Sequence, residues 1–170
     1  LSRLESAGDA DTTDVVEVTT LFEDAKTAFE GHADIADIVI NIESDIQLSG
    51  NSAEIETVIV NLLSNAVRYT PRDGQITLTL RADAKGADLI VEDTGEGIDP
   101  KYIPRLTERF FRVDKGRSRE QGGTGLGLAI VKHVLARHGA DLIITSEPGQ
   151  GSQFRCHFPT DRIVETPPAA

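Results

Sequence analysis

The sequence predicts an α+β fold, a two-layer sandwich in which a mixed β-sheet packs on three main helices. Three observations point to it. Strand-like and helix-like segments follow one another in mixed order rather than in strict alternation, which disfavours an all-parallel sheet. Three segments carry apolar residues at helical spacing, and several others alternate with a period of two. Finally, 170 residues with 39% hydrophobic and 26% charged side chains suit one well-cored domain with little left for a second.

Taken in order, Leu1–Ala7 has helical composition but is too short to hold a helix alone, and Gly8–Thr13 reads as a linker. Val15–Val18 alternates as a strand. Leu21–Gly31 has helical spacing through Leu21, Phe22, Ala25, Ala28 and Phe29 and stops at a glycine. Ile35–Ile42 and Ile46–Leu48 read as strands. Asn51-Ser52-Ala53-Glu54 is a helix-start signal, and Ile55, Val58, Ile59, Leu62, Leu63 and Ala66 give the helix it opens a core face. The turn Thr70–Gly74 ends that helix. Gln75–Arg81 and Asp88–Glu92 are two strands joined loosely through Ala84-Lys85-Gly86. A short helix follows over Pro100–Glu108, then a mobile basic loop over 109–125, a helix over 126–138, and strands over 141–146 and 152–158. Cys156 falls at a half-buried position of the last strand.

Charge is unevenly placed. The net charge is −11, and residues 1–60 hold 14 acids against 2 bases. An acidic body argues against nucleic acid as the main partner. The basic residues Lys101, Arg105, Arg109, Arg112, Lys115, Arg117 and Arg119 cluster beside a glycine-rich segment, which suits a small polyanion. One cysteine excludes an internal disulfide and a cysteine metal cluster, and no apolar run reaches the roughly 20 residues that span a bilayer. The absence of methionine, even at position 1, suggests a piece of a longer protein.

Three segments carry chemistry. Gly122-Gly123-Thr124-Gly125-Leu126-Gly127-Leu128 leads into a helix, so backbone N–H groups and a helix N-terminus converge where an anion would sit. It is not a Walker A loop, because Leu128 and Ala129 stand where Lys and Ser/Thr are required, and the dinucleotide-fold spacing fails as well. On the helix from Ser52, Glu54, Asn61, Asn65 and Arg68 lie within about 60° of one another. Two asparagines at i and i+4 are poor helix formers, and their amide oxygens suit Mg²⁺ beside phosphate. Asp93-Thr94-Gly95-Glu96-Gly97-Ile98 ends a strand. Its carboxylate can accept a hydrogen bond from an exocyclic amine such as that of adenine, with Gly95 and Gly97 letting the base approach.

These segments resemble the boxes of bacterial sensor histidine kinases: Asn61–Pro71 the N box, Asp93–Ile98 the G1 box, Glu108–Asp114 the F box and Gly122–Leu128 the G2 box. The run Ile103–His133 further resembles the phosphate-regulon sensors. The resemblance implies the Bergerat ATP-binding sandwich shared with gyrase, Hsp90 and MutL, with ATP and Mg²⁺ as ligands. It implies that Asp93 reads the adenine amino group, with Gly95, Gly97 and Ile98 around it, and that Asn65 binds Mg²⁺. Asn61 and Arg68 would lie near the phosphates and Tyr69 would flank the nucleotide. Gly122, Gly123, Thr124, Gly125, Leu126, Gly127 and Leu128 would hold the phosphates beneath a lid. Arg112 would meet the γ-phosphate, so Arg112 and Asn61 stand at the reacting end. The ATPase relatives carry a water-activating glutamate where this chain has Asn61, so hydrolysis should be slow.

None of His32, His133, His138 and His157 has the surroundings of a phosphoacceptor, and all four read as structural or surface residues. The expected organisation is therefore the end of a dimerisation helix and linker (1–13), the catalytic ATP-binding domain (14–160) and a tail (161–170). The implied partners are a separate histidine-bearing dimerisation domain and a response regulator receiver domain. The fragment itself is expected to be monomeric and not membrane-spanning, as a cytoplasmic domain of an inner-membrane sensor. A nucleotide module without transfer activity and a gyrase-type ATPase are the rival readings, the latter disfavoured by Asn61.

Overall fold

A computed structural model of the chain describes residues 14–31, 34–109 and 127–164. Within them a five-stranded mixed sheet runs in the order β2-β4-β5-β7-β6, and a second, three-stranded sheet runs β1-β3-β8. The strands are β1 (Asp14–Val16), β2 (Asp37–Ile42), β3 (Gln47–Gly50), β4 (Gln75–Asp83), β5 (Gly86–Asp93), β6 (Asp141–Glu147), β7 (Gly151–Phe158) and β8 (Ile163–Val164). The helices are α1 (Val18–Glu30), α2 (Ser52–Tyr69) and α3 (Gly127–Arg137), with a 3₁₀ turn at Pro100–Arg105. The expected α+β sandwich with three main helices is the architecture found.

Among the described residues only β2 and β4 pair in parallel; every other neighbouring pair is antiparallel. Parallel pairing needs a long crossover, and here β3 and α2 supply it. Alternation in β4, β5 and β7 sends Ile76, Leu78, Leu89, Val91, Phe154 and Phe158 to one face. Ile55, Ile59, Leu62 and Leu63 of α2 and Val131 and Leu135 of α3 join them in one core. Burying each such side chain is worth about 1.5–3 kcal/mol, so the core holds the helices that carry the polar residues of interest. α2 starts where Asn51 Oδ1 accepts the Glu54 N–H at 3.0 Å. It stops at Thr70, whose extended backbone is what a following proline imposes.

Several boundaries depart from the sequence expectations. The first strand is Asp14–Val16, not Val15–Val18, because α1 already begins at Val18; its N-cap Glu17 makes no capping hydrogen bond, so no start signal stood in the sequence. The helix expected over Pro100–Glu108 is a shorter 3₁₀ segment, with Pro104 inside it unable to donate a helical hydrogen bond. The β4–β5 connection is tight: Asp83 pairs with Gly86, leaving Ala84 and Lys85 as the turn. Cys156 is fully buried on the core face of β7, and burial pushes its thiol up to about 12. Ile163 and Val164, expected in the tail, pair with Leu48 and Gln47. The basic loop lies largely outside the described residues.

The sheet face away from the core carries its own polar network. Asp88, 7% exposed, accepts hydrogen bonds from Arg81 Nε at 3.1 Å, Arg155 at 3.2 Å and His157 Nδ1 at 2.7 Å. Burial alone would raise its pKa, but the His157, Arg81 and Arg155 partners outweigh it and hold the carboxyl below the usual value.

Candidate functional site

The end of β5 turns into the Asp93–Ile98 loop, and the loop is stapled down residue by residue. Asp93 is 6% exposed. Its Oδ1 accepts the Gly95 N–H at 2.8 Å, and its carboxylate also accepts the Ser152 backbone N–H. Burial raises the Asp93 pKa, the two N–H groups oppose that rise, and the neighbouring Glu92 adds to it. Thr94 pairs with the start of β4: its N–H donates to the Gln75 carbonyl at 3.1 Å and its Oγ1 accepts the Gln75 N–H at 2.9 Å. At the far end the Ile98 N–H donates to Ser146 Oγ at 2.8 Å, and Ser146 Oγ lies 2.8 Å from Ser152 Oγ. The two serines thus connect both ends of the loop to the β6–β7 hairpin.

Gly95 and Gly97 have roles in this packing that the sequence did not reveal. A Cβ on Gly95 would collide with the Tyr69 carbonyl oxygen at the end of α2, and a Cβ on Gly97, where φ is +76°, would collide with the Glu147 carbonyl oxygen. The chain's own backbone therefore accounts for glycine at both positions. The Gly149 N–H donates to the Glu96 carbonyl at 2.7 Å, so the hairpin turn braces the loop from one side while α2 closes the other.

Helix α2 presents Asn61, Asn65, Arg68 and Tyr69, all half-buried. Asn61 Nδ2 donates to the Thr57 carbonyl of its own helix at 2.9 Å, which leaves Oδ1 pointing at the start of α3: a Cβ on Gly127 would stand 3.0 Å from it. Arg68 lies over the Tyr69 ring, 5.9 Å from its centroid. The expected stripe is divided, because Glu54 is engaged by Arg137, Nε to Oε1 3.2 Å. So α2 touches the Asp93–Ile98 loop at Tyr69 and the start of α3 at Asn61, two places eight residues apart, or about 12 Å of helix. Leu128 follows Gly127 and packs against the core. Arg112 and Gly122, Gly123, Thr124, Gly125 and Leu126 lie outside the described residues.

Among the described residues no group of three His, Cys, Asp or Glu side chains could hold a metal ion, and no helix is long and apolar enough to cross a membrane. Ser146 and Ser152 were not singled out in the sequence; the only signal for them was position, flanking the Gly149–Gly151 turn. His138 also went unremarked as a site element, although its place before Gly139 at a helix end marked it.

Sandwich, loop and helix together define a two-layer α+β domain that places a buried carboxylate beside a polar helix. The chain belongs to the family described as histidine kinase-, DNA gyrase B-, and HSP90-like ATPases, whose model matches residues 50–162. It is 57% identical over 120 residues to the phosphate regulon sensor protein PhoR of Pseudomonas aeruginosa, an overlap of 71% of this chain and 27% of that protein. It is 40% identical over 161 residues to the sensor-like histidine kinase SenX3 of Mycobacterium tuberculosis, covering 94% of this chain and 39% of that one. Among solved structures, full-length ShkA in complex with AMPPNP superposes with a TM-score of 0.81 at 26% identity, covering 98% of this chain and 35% of that chain. The chain spans well under half the length of these relatives. They agree with the resemblance to sensor kinases that the four boxes carry, and with the resemblance to phosphate-regulon sensors that the run Ile103–His133 carries.

Proposed function

We propose that this chain is the Mg-ATP-binding catalytic domain of a two-component sensor histidine kinase, and that it delivers the γ-phosphoryl group to a histidine on a separate dimerisation domain. The observation that carries the reading is the placement of α2. Its C-terminal end meets the Asp93 loop, and Asn61, about 12 Å back along the helix, meets the start of α3. A base-reading carboxylate and a phosphate-side helix start, spaced along one polar helix face, suit an extended nucleotide.

The residues present fit that ligand. Two backbone N–H groups favour the ionised form of Asp93 against the burial that raises its pKa, and a carboxylate at this place suits an amino group of adenine. Tyr69 and Arg68 border the same end of α2. Asn65 sits between the two ends and would hold Mg²⁺, whose charge supplies neutralisation of the phosphates when bound. Arg112 and the glycines from 122 to 125 complete the phosphate end in this reading. Transfer forms a bond from imidazole nitrogen to the γ-phosphorus and breaks the bond to the β–γ bridging oxygen, releasing ADP. Positioning and electrostatic stabilisation are what this reaction mainly needs. Asn61 cannot take a proton from water, so transfer rather than hydrolysis is the favoured outcome.

By this reading the partners are the histidine-bearing domain and a response regulator receiver domain, and the parent is an inner-membrane sensor with this domain on the cytoplasmic side. The test is γ-labelled ATP with this chain and a supplied histidine domain. Label should appear on the histidine domain in acid-labile form. Binding of Mg-ATP without transfer to any histidine domain would instead favour a nucleotide module acting through contacts. Phosphate release faster than transfer would favour an ATPase.

A further inference from the structure

Helices α2 and α3 run in opposite directions and approach closely at two places. At one, Asn61 Oδ1 faces Gly127, 3.0 Å from where a Cβ on that glycine would stand. The other lies about 15 Å away, at the start of α2, and its centre is His138. This ring is fully buried. Its Nδ1 is 2.8 Å from the Val134 carbonyl oxygen, an acceptor, so the proton belongs on Nδ1. Nε2 then carries the lone pair and accepts the Asn51 backbone N–H at 3.1 Å. Asn51 is the residue whose side chain caps α2. Gly50 makes room for the ring, since a Cβ there would stand 2.6 Å from His138 Cδ2, and Phe158 closes it edge-on at 6.3 Å. Beside it runs the Arg137–Glu54 ion pair, with side chains only 14% and 28% exposed.

We propose that His138 is a positioning residue for the nucleotide site: its neutral ring, with the Arg137–Glu54 pair beside it, fixes α2 along α3 so that Asn61 meets Gly127 at the opposite end. The proposal rests on the nucleotide reading above. A stiff helix held at its cap transmits a change there to its middle. Only one protonation state fits, because a second proton on Nε2 would set it against the Asn51 N–H, donor to donor. The surroundings favour the neutral ring. Burial acts most strongly, the charges of Arg162, on the turn after β7, and Arg137, on α3, add to it, and the Val134 carbonyl and Glu54, on α2, oppose it. The net effect holds the ring below the ordinary histidine value, so the latch is shut at neutral pH and opens only in acid.

The experiment uses the full chain, with calorimetry of Mg-ATP binding and NMR of the nucleotide-free protein. His138→Gln can still donate to Val134 and accept from Asn51; His138→Leu can do neither. His138→Leu should weaken Mg-ATP binding by about tenfold and move the Asn61 side-chain amide resonances. His138→Gln should bind within about threefold of wild type. It should also lose the weakening expected of wild type as pH falls through the lowered pKa of His138, below the ordinary value of about 6.5. Ring ¹⁵N shifts should report the Nδ1–H tautomer. Where His138→Leu fails to fold, Glu54→Gln takes its place and should move the same Asn61 resonances. The proposal is overturned by an Nε2–H tautomer, by a His138→Gln variant as impaired as His138→Leu, or by unmoved Asn61 resonances with unchanged affinity. A wild type that binds no nucleotide, but whose Asn61 resonances respond to His138→Leu, would overturn the nucleotide reading and leave the latch standing.

Discussion

Replacing Asp93 by Asn separates what this side chain does for the fold from what it does for a ligand. In the structure its carboxylate receives two backbone N–H groups, from Gly95 at 2.8 Å and from Ser152, while almost wholly buried. An amide keeps one oxygen for those donors and loses the charge, a loss of about 1–2 kcal/mol given that hydrogen bonds to charged groups exceed neutral ones by roughly that much. Against this, removing a buried charge relieves its desolvation. The two effects oppose, so stability at neutral pH should change by no more than about 1–2 kcal/mol. Binding has no such offset. Loss of a charged acceptor toward an exocyclic amine costs about 1.5–3 kcal/mol, or about tenfold to a hundredfold in affinity. ATP and ADP should lose the same factor, since they share the base. The pH profile adds a signature: because the folded-state pKa of Asp93 is raised, its contribution to stability is full below the unfolded value of 3.8 and is lost as pH rises through the folded one. In Asp93→Asn that part of the slope should vanish. Calorimetry with both nucleotides and urea unfolding across pH are the assays. Unchanged affinity would remove Asp93 from base recognition, and unequal losses for ATP and ADP would move it to the phosphate end.

Arg112→Ala should slow phosphorylation of a supplied histidine domain far more than it weakens Mg-ATP binding, since interactions gained in the transition state act on rate; equal losses in single-turnover rate and dissociation constant would make it an ordinary binding residue. Asn65→Ala should damage both, through loss of a metal ligand, and an affinity insensitive to the substitution at saturating Mg²⁺ would exclude that role. Gly97→Ala should destabilise the protein by about 1–3 kcal/mol from the backbone conformation alone and more from the Glu147 carbonyl, read as a lower midpoint in urea; a wild-type midpoint would contradict the packing described. Asp88→Asn should flatten acid unfolding. The lowered pKa of Asp88 means that its stabilisation is present above the unfolded value and disappears as pH falls through the folded one, so a variant as acid-sensitive as wild type would show that the Arg81–Arg155–His157 network contributes nothing.

Much of this was legible in the chain because periodicity is a local signal. The apolar face of α2, its Asn51 cap and the polar face bearing Asn61, Asn65 and Arg68 all follow from residues within a few turns of one another. What could not be read depends on partners far away in sequence. The parallel pairing of β2 with β4, the addition of Ile163–Val164 to β3, and the full burial of Cys156 between β5 and β6 are decided by neighbours with no local mark. The start of α1 was missed for want of a capping residue, and the helix at Pro100 was overestimated because Pro104 shortens it. Within the site, Asp93 stood out as a carboxylate at a strand end. The reason for Gly95 and Gly97 did not, since it lies in the carbonyls of Tyr69 and Glu147, 26 and 50 residues away in sequence.

The crossover between β2 and β4 is made by the same helix that bears the polar site residues. A parallel pair needs a long crossover connection, and here that connection includes the helix that carries Asn61, Asn65 and Tyr69. The sheet and the proposed site therefore share one element. In refolding, competence to bind nucleotide should arise in the same kinetic phase as β2–β4 pairing, which is the slow, non-local step in a topology of this kind. A cell would then hold either an unfolded chain that binds nothing or a folded one already able to engage its nucleotide, without a populated species that has the sheet but lacks the grip.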